Sequence, residues 1–156
     1  MTVASIHWGS NWGYEISAAQ ITFAHRLINE GVSLVHGHSS HHVKTIEVYW
    51  DHLILYGCGD FLTDYEGISG YEAFRGDLAL MYLAQFDAQQ NRLMELRLVP
   101  VQARKCQLHC ASADDAAWLR DRLNRLGTPF GTRVQLKDNS MLLQWRLNPA
   151  IRSLPT

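Results

Sequence analysis

The stretch Val32-Ser33-Leu34-Val35-His36-Gly37-His38-Ser39-Ser40-His41-His42 decides how this chain is read. Its opening run, 32–35, is apolar and short, as suits a buried parallel strand. It runs straight into a loop, 36–42, that holds four of the chain's eight histidines. Upstream, Ser17 followed by Gln20 three residues on is a reciprocal capping box. Ile21, Ala24, Leu27 and Ile28 then recur at helical spacing, and Gly31 supplies a stop, so a helix is predicted over 17–30. Residues 2–7 read as a strand. Strand, helix and strand together make a parallel crossover unit, whose loops after the strands are where open α/β sheets place ligands.

Downstream, a hairpin is expected from 45–49 and 53–56, turning at Trp50-Asp51. A long polar loop follows from Gly57 to about Gly76. Strands are predicted at 78–86 and 92–101, joined by a turn near 87–91. The last third reads as a β-α-β-β piece. It has a strand at 105–109, a helix capped by Ser112 and ended by Gly127, and a hairpin of 132–137 and 140–145 turning on Asp138-Asn139. Asp114 and Asp115 in the first turn of that helix, with Arg122 and Arg125 in its last, complement the helix dipole. The fold class is α/β with an α+β tendency. Two regions are expected, 1–103 and 104–156, the second packed on the first.

Composition narrows the function. Apolar residues make up 47% of 156 and charged residues 19%, a globular balance. A formal net charge of -1 offers no general attraction to nucleic acid. No stretch approaches the ~20 apolar residues of a bilayer span, and no signal peptide is visible, so a cytoplasmic location is expected. Cys58, Cys106 and Cys110 are too few and too scattered for a disulfide framework.

The histidines carry the chemistry. Imidazole is a common ligand for catalytic transition metals, and His-x-x-His on a tight loop can aim two rings at one point. His7, at the end of the preceding strand of the crossover, would stand beside that loop. The same loop also reads as a solvated, hydrogen-bonded surface segment, and spacing alone does not choose between the two. His25, His36, His52 and His109 read as structural. Trp8, Trp12 and Tyr14 suit a cleft lining or a cover for the sheet end.

Five segments in order carry a resemblance. They are His7-Trp8-Gly9, Asn29-Glu30-Gly31, Val35-His36-Gly37-His38-Ser39-Ser40-His41, Ile46-Glu47-Val48-Tyr49 and Tyr56-Gly57-Cys58-Gly59-Asp60-Phe61. Residues 3–65 so read resemble CapA-type poly-γ-glutamate (capsule) synthesis proteins of bacteria, in the metallophosphoesterase-like superfamily, and only the C-terminal half of that domain. The resemblance implies a partial calcineurin-like sandwich with metal ions on loops at strand ends. It implies His7, His38 and His41 as metal ligands for zinc or manganese. It also implies His38, His41 and Asp60 as the catalytic set, with Asp60 supporting the ligands or facing substrate; Asp60 equally suits a cap of the Gly59-Asp60-Phe61 turn.

One departure limits this expectation. The family's carboxylate ligands and an Asn-His element come from strands before the His-Trp-Gly strand. Glu15, Asp60, Asp64 and Glu66 do not match those positions, and three histidines alone suit a single zinc better than a dinuclear centre. A truncated metal-dependent hydrolase acting on a polyanionic or phosphoester substrate is therefore expected. The alternative is a non-catalytic remnant or accessory subunit that self-associates or docks on a partner chain supplying the missing half. Neither nucleic acid nor a membrane is an expected partner.

Overall fold

The computed structural model describes residues 1–63 and 68–146. Two sheets divide them. The first has four strands in the order β1-β2-β4-β3: β1 (Val3–His7), β2 (Leu34–His38), β3 (Ile46–Tyr49) and β4 (His52–Leu55). β1, α1 (Ala18–Asn29) and β2 form the expected crossover, and β2 also runs parallel to β4. The second sheet orders β5 (Leu78–Phe86), β6 (Leu93–Arg104), β9 (Ser140–Trp145) and β8 (Thr132–Lys137), with β7 (Gln107–Cys110) hairpinned onto β6. Its strands come from both sides of the division at 103/104. The mixed α/β class is as expected, and it is consistent with a partial sandwich.

Local signals explain most elements. Ser17 Oγ accepts the Gln20 N–H while Gln20 Oε1 accepts the Ser17 N–H, completing the capping box of α1. Gly31, at φ +94°, follows the helix in the left-handed region. Trp50 and Asp51 both take positive φ between β3 and β4, the twist that a two-residue hairpin needs.

Several strand boundaries differ from the expectation. The strand of the crossover does not stop at Val35 but continues through His38. Pairing of Ser5 with His36 and His7 with His38 draws those residues into the sheet. The strand expected over 105–109 begins at Gln107, because Lys105 and Cys106 form the positive-φ turn between β6 and β7. α2 (Ala113–Gly127) does end at Gly127, as expected; the φ of that residue is −77°, and the chain runs on through a 3-10 turn to Gly131, at φ +66°. The absence of a Cβ at Gly127 admits Thr132, whose carbonyl and hydroxyl oxygens would lie 2.5 Å from one.

Two apolar layers hold the sheets. Ala24 and Ile28 of α1 pack on Val35, Ile54 and Tyr56, one face of the first sheet. Its other face meets the second sheet and α2, where Leu53 and Leu55 join Leu78, Leu96, Leu98, Leu119 and Met141. The strand alternation that sends Ile54 one way and Leu53 and Leu55 the other is what lets one short sheet serve both layers. β1 stands at its edge, paired on one side only among the described residues.

Candidate functional site

Register builds the site. Because β1 and β2 are parallel and His7 pairs with His38, the two imidazoles lie side by side, centroids 5.2 Å apart. Two residues earlier on β2, on the same face, His36 stands 5.6 Å from His38 and shares a 2.9 Å hydrogen bond with Ser5 Oγ through Nδ1. Burial, then the neighbouring His38, hold the His36 imidazole below its ordinary pKa. His36 reads as structural from sequence, yet it joins this array. Period-2 spacing of His36 and His38 was the signal, visible only if the strand extends that far.

Gly37 allows the arrangement. A Cβ there would run into Trp8 Nε1 and lie 2.7 and 2.8 Å from the Leu55 and Tyr56 carbonyl oxygens. The Trp8 indole fills that space, donating to the Tyr56 carbonyl at 3.0 Å and stacking on the Tyr56 ring. Trp8 thus belongs to the sheet cover.

The chain then turns away. Ser39 takes φ +125°, a region costly for a residue with a side chain, and its hydroxyl donates to the Gly9 carbonyl and to Asn11 Oδ1. This turn carries His41 to Asp60, its Nδ1 2.8 Å from Oδ2. Asn11 Nδ2 lies 3.4 Å from His41 Nε2. Since Asn11 Oδ1 already accepts from Ser39, its NH₂ faces the ring. Nδ1–H is thus donated to Asp60, and the Asn11 contact falls on Nε2.

The structure therefore joins His7 with His38, and His41 with Asp60. It does not gather His7, His38 and His41: among the described residues no group of three or more His, Cys, Asp or Glu side chains is placed to hold an ion. Asp64 and Glu66 lie outside the described residues. His42 is fully buried among Trp12, Tyr14 and Phe74, with Nδ1 donating to the Val43 carbonyl. Burial lowers its pKa, so it packs as a neutral ring.

His41 and Asp60 border a cavity of about 420 Å³. Trp12 and Tyr71, stacked at 4.2 Å, form part of its lining. Arg75, Asp77 and Gln102 form another part. Arg75 donates from Nε and Nη2 to Asp77 and from Nη2 to Asp115, and Gln102 Nε2 donates to Asp77. Sequence reading missed these residues. The register that sets Leu78 opposite Gln102 is what brings Gln102 to Asp77.

The segment that builds the imidazole pair also carries the likeness to known proteins. The model of the family "Bacterial capsule synthesis protein PGA_cap" matches residues 1–65. The chain resembles CapA-type capsule synthesis proteins. It is 45% identical over 142 residues to the "Probable polyglutamine synthesis accessory protein" of Mycobacterium tuberculosis, a match covering 91% of this chain and 37% of that protein. An uncharacterized protein of Sinorhizobium fredii is 25% identical over 181 residues, covering 88% of this chain and 39% of its own length. The capsule biosynthesis protein CapA of Bacillus anthracis is 28% identical over 64 residues, 41% of this chain and 16% of its own. The CapA-like chain thus spans well under half the length of these relatives. No helix among its described residues is long and apolar enough to cross a membrane.

Proposed function

We propose that this CapA-like chain acts in the synthesis of a capsule-type polyglutamyl polymer, and that it forms the imidazole-bearing wall of a metallophosphoesterase-like site for hydrolysis or transfer at a phosphoester. The observation that carries this reading is the register of β1 against β2, which sets His7 beside His38 within the segment matching the capsule family.

By themselves the described residues do not complete a metal centre: no three ligands are placed to hold an ion, and His36, beside His38, is bonded through Nδ1 to Ser5. In this reading His7 and His38 offer two imidazoles to a divalent zinc or manganese ion, and carboxylates from further polypeptide of the kind the longer relatives possess complete it. Such an ion, when bound, would polarise a phosphoester oxygen. The other roles rest on this chain alone. Asp60 accepts from His41 Nδ1, which fixes the ring at the cavity wall, where Nε2 would take a proton from a nucleophile in place of its Asn11 contact. His41, expected as a third ligand, is not gathered with His7 and His38 among the described residues.

The test pairs titration calorimetry with polymer yield. Zinc or manganese binding by the chain should fall in the His7→Ala/His38→Ala variant, and the same variant should lower the glutamyl polymer made by the host. Unchanged metal affinity and unchanged polymer would overturn the reading.

A second reading is an accessory subunit without chemistry of its own, as the mycobacterial relative's name suggests for that protein. Its support is the edge of β1, a five-residue strand with no Lys, Arg, Asp, Glu or Pro whose own Val3 is exposed, as is Phe23 on α1. Sedimentation separates the two: a monomer that retains activity excludes dependence on a partner.

A further inference from the structure

We infer that the cavity beside His41 is a binding site for an uncharged, hydroxyl-rich ring, a sugar unit. This goes beyond the proposed phosphoester chemistry and does not depend on the His7–His38 pair.

The argument begins with charge. An anionic ligand is drawn by an unmatched positive charge in a wall, and here the half-buried Arg75 is already taken up by two carboxylates. Arg75 is held between Asp77 and Asp115, and Asp60 accepts from His41. Glu72 and Arg104, one of each sign, are exposed at the margin. What the wall presents is a set of polar groups already fixed in place by one another, at a cost of ordering met on folding rather than on binding. Asp77 and Asp60 are acceptors, and Arg75 and Gln102 donors. A hydroxyl donates and accepts at once, so a ring carrying several suits this mixed array better than an anion does.

The second observation is the aromatic part. Tyr71 lies flat on Trp12, interplanar angle 4°, and keeps 40% of its surface exposed. A pyranose has an apolar C–H face and a polar rim. An aromatic ring beside fixed polar groups offers a place to both. Gly76 keeps the two parts together: a Cβ there would lie 3.0 Å from the His41 carbonyl oxygen and 3.6 Å from the Trp12 ring. The volume, about 420 Å³, falls in the range of small-ligand sites.

Saturation-transfer NMR of the whole chain tests this, with glucose, N-acetylglucosamine and their disaccharides as probes and a short γ-linked glutamate oligomer as comparison. Transfer to the sugar C–H protons is expected, with millimolar affinity that Tyr71→Ala weakens about tenfold, the loss of one aromatic contact. Gln102→Leu should weaken it as well. Tyr71 is exposed enough that its variant should keep the wild-type circular dichroism and thermal midpoint. Three results would overturn the assignment: no transfer to any sugar, equal transfer in both variants, or preference for the glutamate oligomer. Loss of metal binding in the His7→Ala/His38→Ala variant with sugar binding intact would show the two sites to be separate.

Discussion

Removing the carboxylate of Glu47 tests how the layer beneath the site is held. Glu47 is buried between α1 and the first sheet, 7% exposed. Its Oε2 accepts the Tyr56 hydroxyl at 2.7 Å and its Oε1 accepts His25 Nε2 at 2.8 Å, while the His25 ring lies flat on Tyr49. Burial and then the bond to Glu47 push the Tyr56 phenol far above its ordinary pKa, so it stays a donor throughout the stability range. Hydrogen bonds to a charged group are worth about 1.5–3 kcal/mol each, and a buried hydroxyl left without a partner costs about 1–3 kcal/mol. Glu47→Ala loses both bonds and strands Tyr56, so about 3–5 kcal/mol of destabilisation is expected, in line with breaking a buried pair. Tyr56→Phe removes one bond but leaves the carboxylate on His25, and should cost about 1–2 kcal/mol. The assay is urea unfolding followed by circular dichroism, run as a double-mutant cycle. A coupling of about 1–3 kcal/mol between the two positions is expected. Coupling near zero would falsify the claim that the carboxylate and the phenol act as a unit.

Two further outcomes follow from single environments. Burial pushes the Cys58 thiol up to about 12, whereas Cys106 and Cys110 are exposed; a disulfide reagent at pH 8 should therefore leave Cys58 unmodified in the native chain and modify it only after unfolding. The bond from Arg75 holds the Asp77 carboxyl below the ordinary carboxylate range. Its stabilising contribution should be full above that range and fade as pH falls through the depressed folded value. The thermal midpoint of wild type should therefore drop toward that of Asp77→Asn only in acid. An unchanged gap between the two at low pH would contradict this.

Local signals were legible and long-range ones were not. The capping box at Ser17 and Gln20, the Ser112 cap and the turns at Trp50-Asp51 and Asp138-Asn139 depend on neighbours a few residues away, and each stands where its residues put it. The extent of β2 depended on partners instead. Gly37 and two histidines make a poor strand alone, and pairing with β1 and β4 overrides that preference. Gly127 ends α2 as its type suggests, but its place is also set by Thr132 on the neighbouring β8, whose hydroxyl donates to the Ile46 carbonyl. The pairing of His41 with Asp60 joined two residues already suspected, but nothing in their spacing announced the bond. Arg75, Asp77 and Gln102 carry no motif at all and meet only through the second sheet.

Gly37 is where fold and candidate site constrain each other most tightly, and Gly37→Ala is the last prediction. The residue is not in the left-handed region, so an alanine meets no backbone strain there. Its penalty comes from space. The added methyl would overlap Trp8 Nε1 and crowd two carbonyl oxygens of the β4 end. A flexible side chain can yield, but those oxygens are backbone, and the Tyr56 carbonyl is also the acceptor for Trp8. Relief therefore requires Trp8 to leave Tyr56 or β2 to move from β4. Overpacking of this kind costs about 1–3 kcal/mol. The route matters more than the sum. If Trp8 leaves, its fluorescence should shift to the red as the indole meets water, and the backbone bond from Trp8 N–H to the His38 carbonyl, now 3.0 Å, loses its anchor. His7 and His38 would then lose their fixed separation, and any metal affinity of the pair should fall with it. A Gly37→Ala chain with wild-type stability, fluorescence and metal binding would show that the sheet end is loose enough to absorb a methyl, and that register alone does not hold the two imidazoles in place.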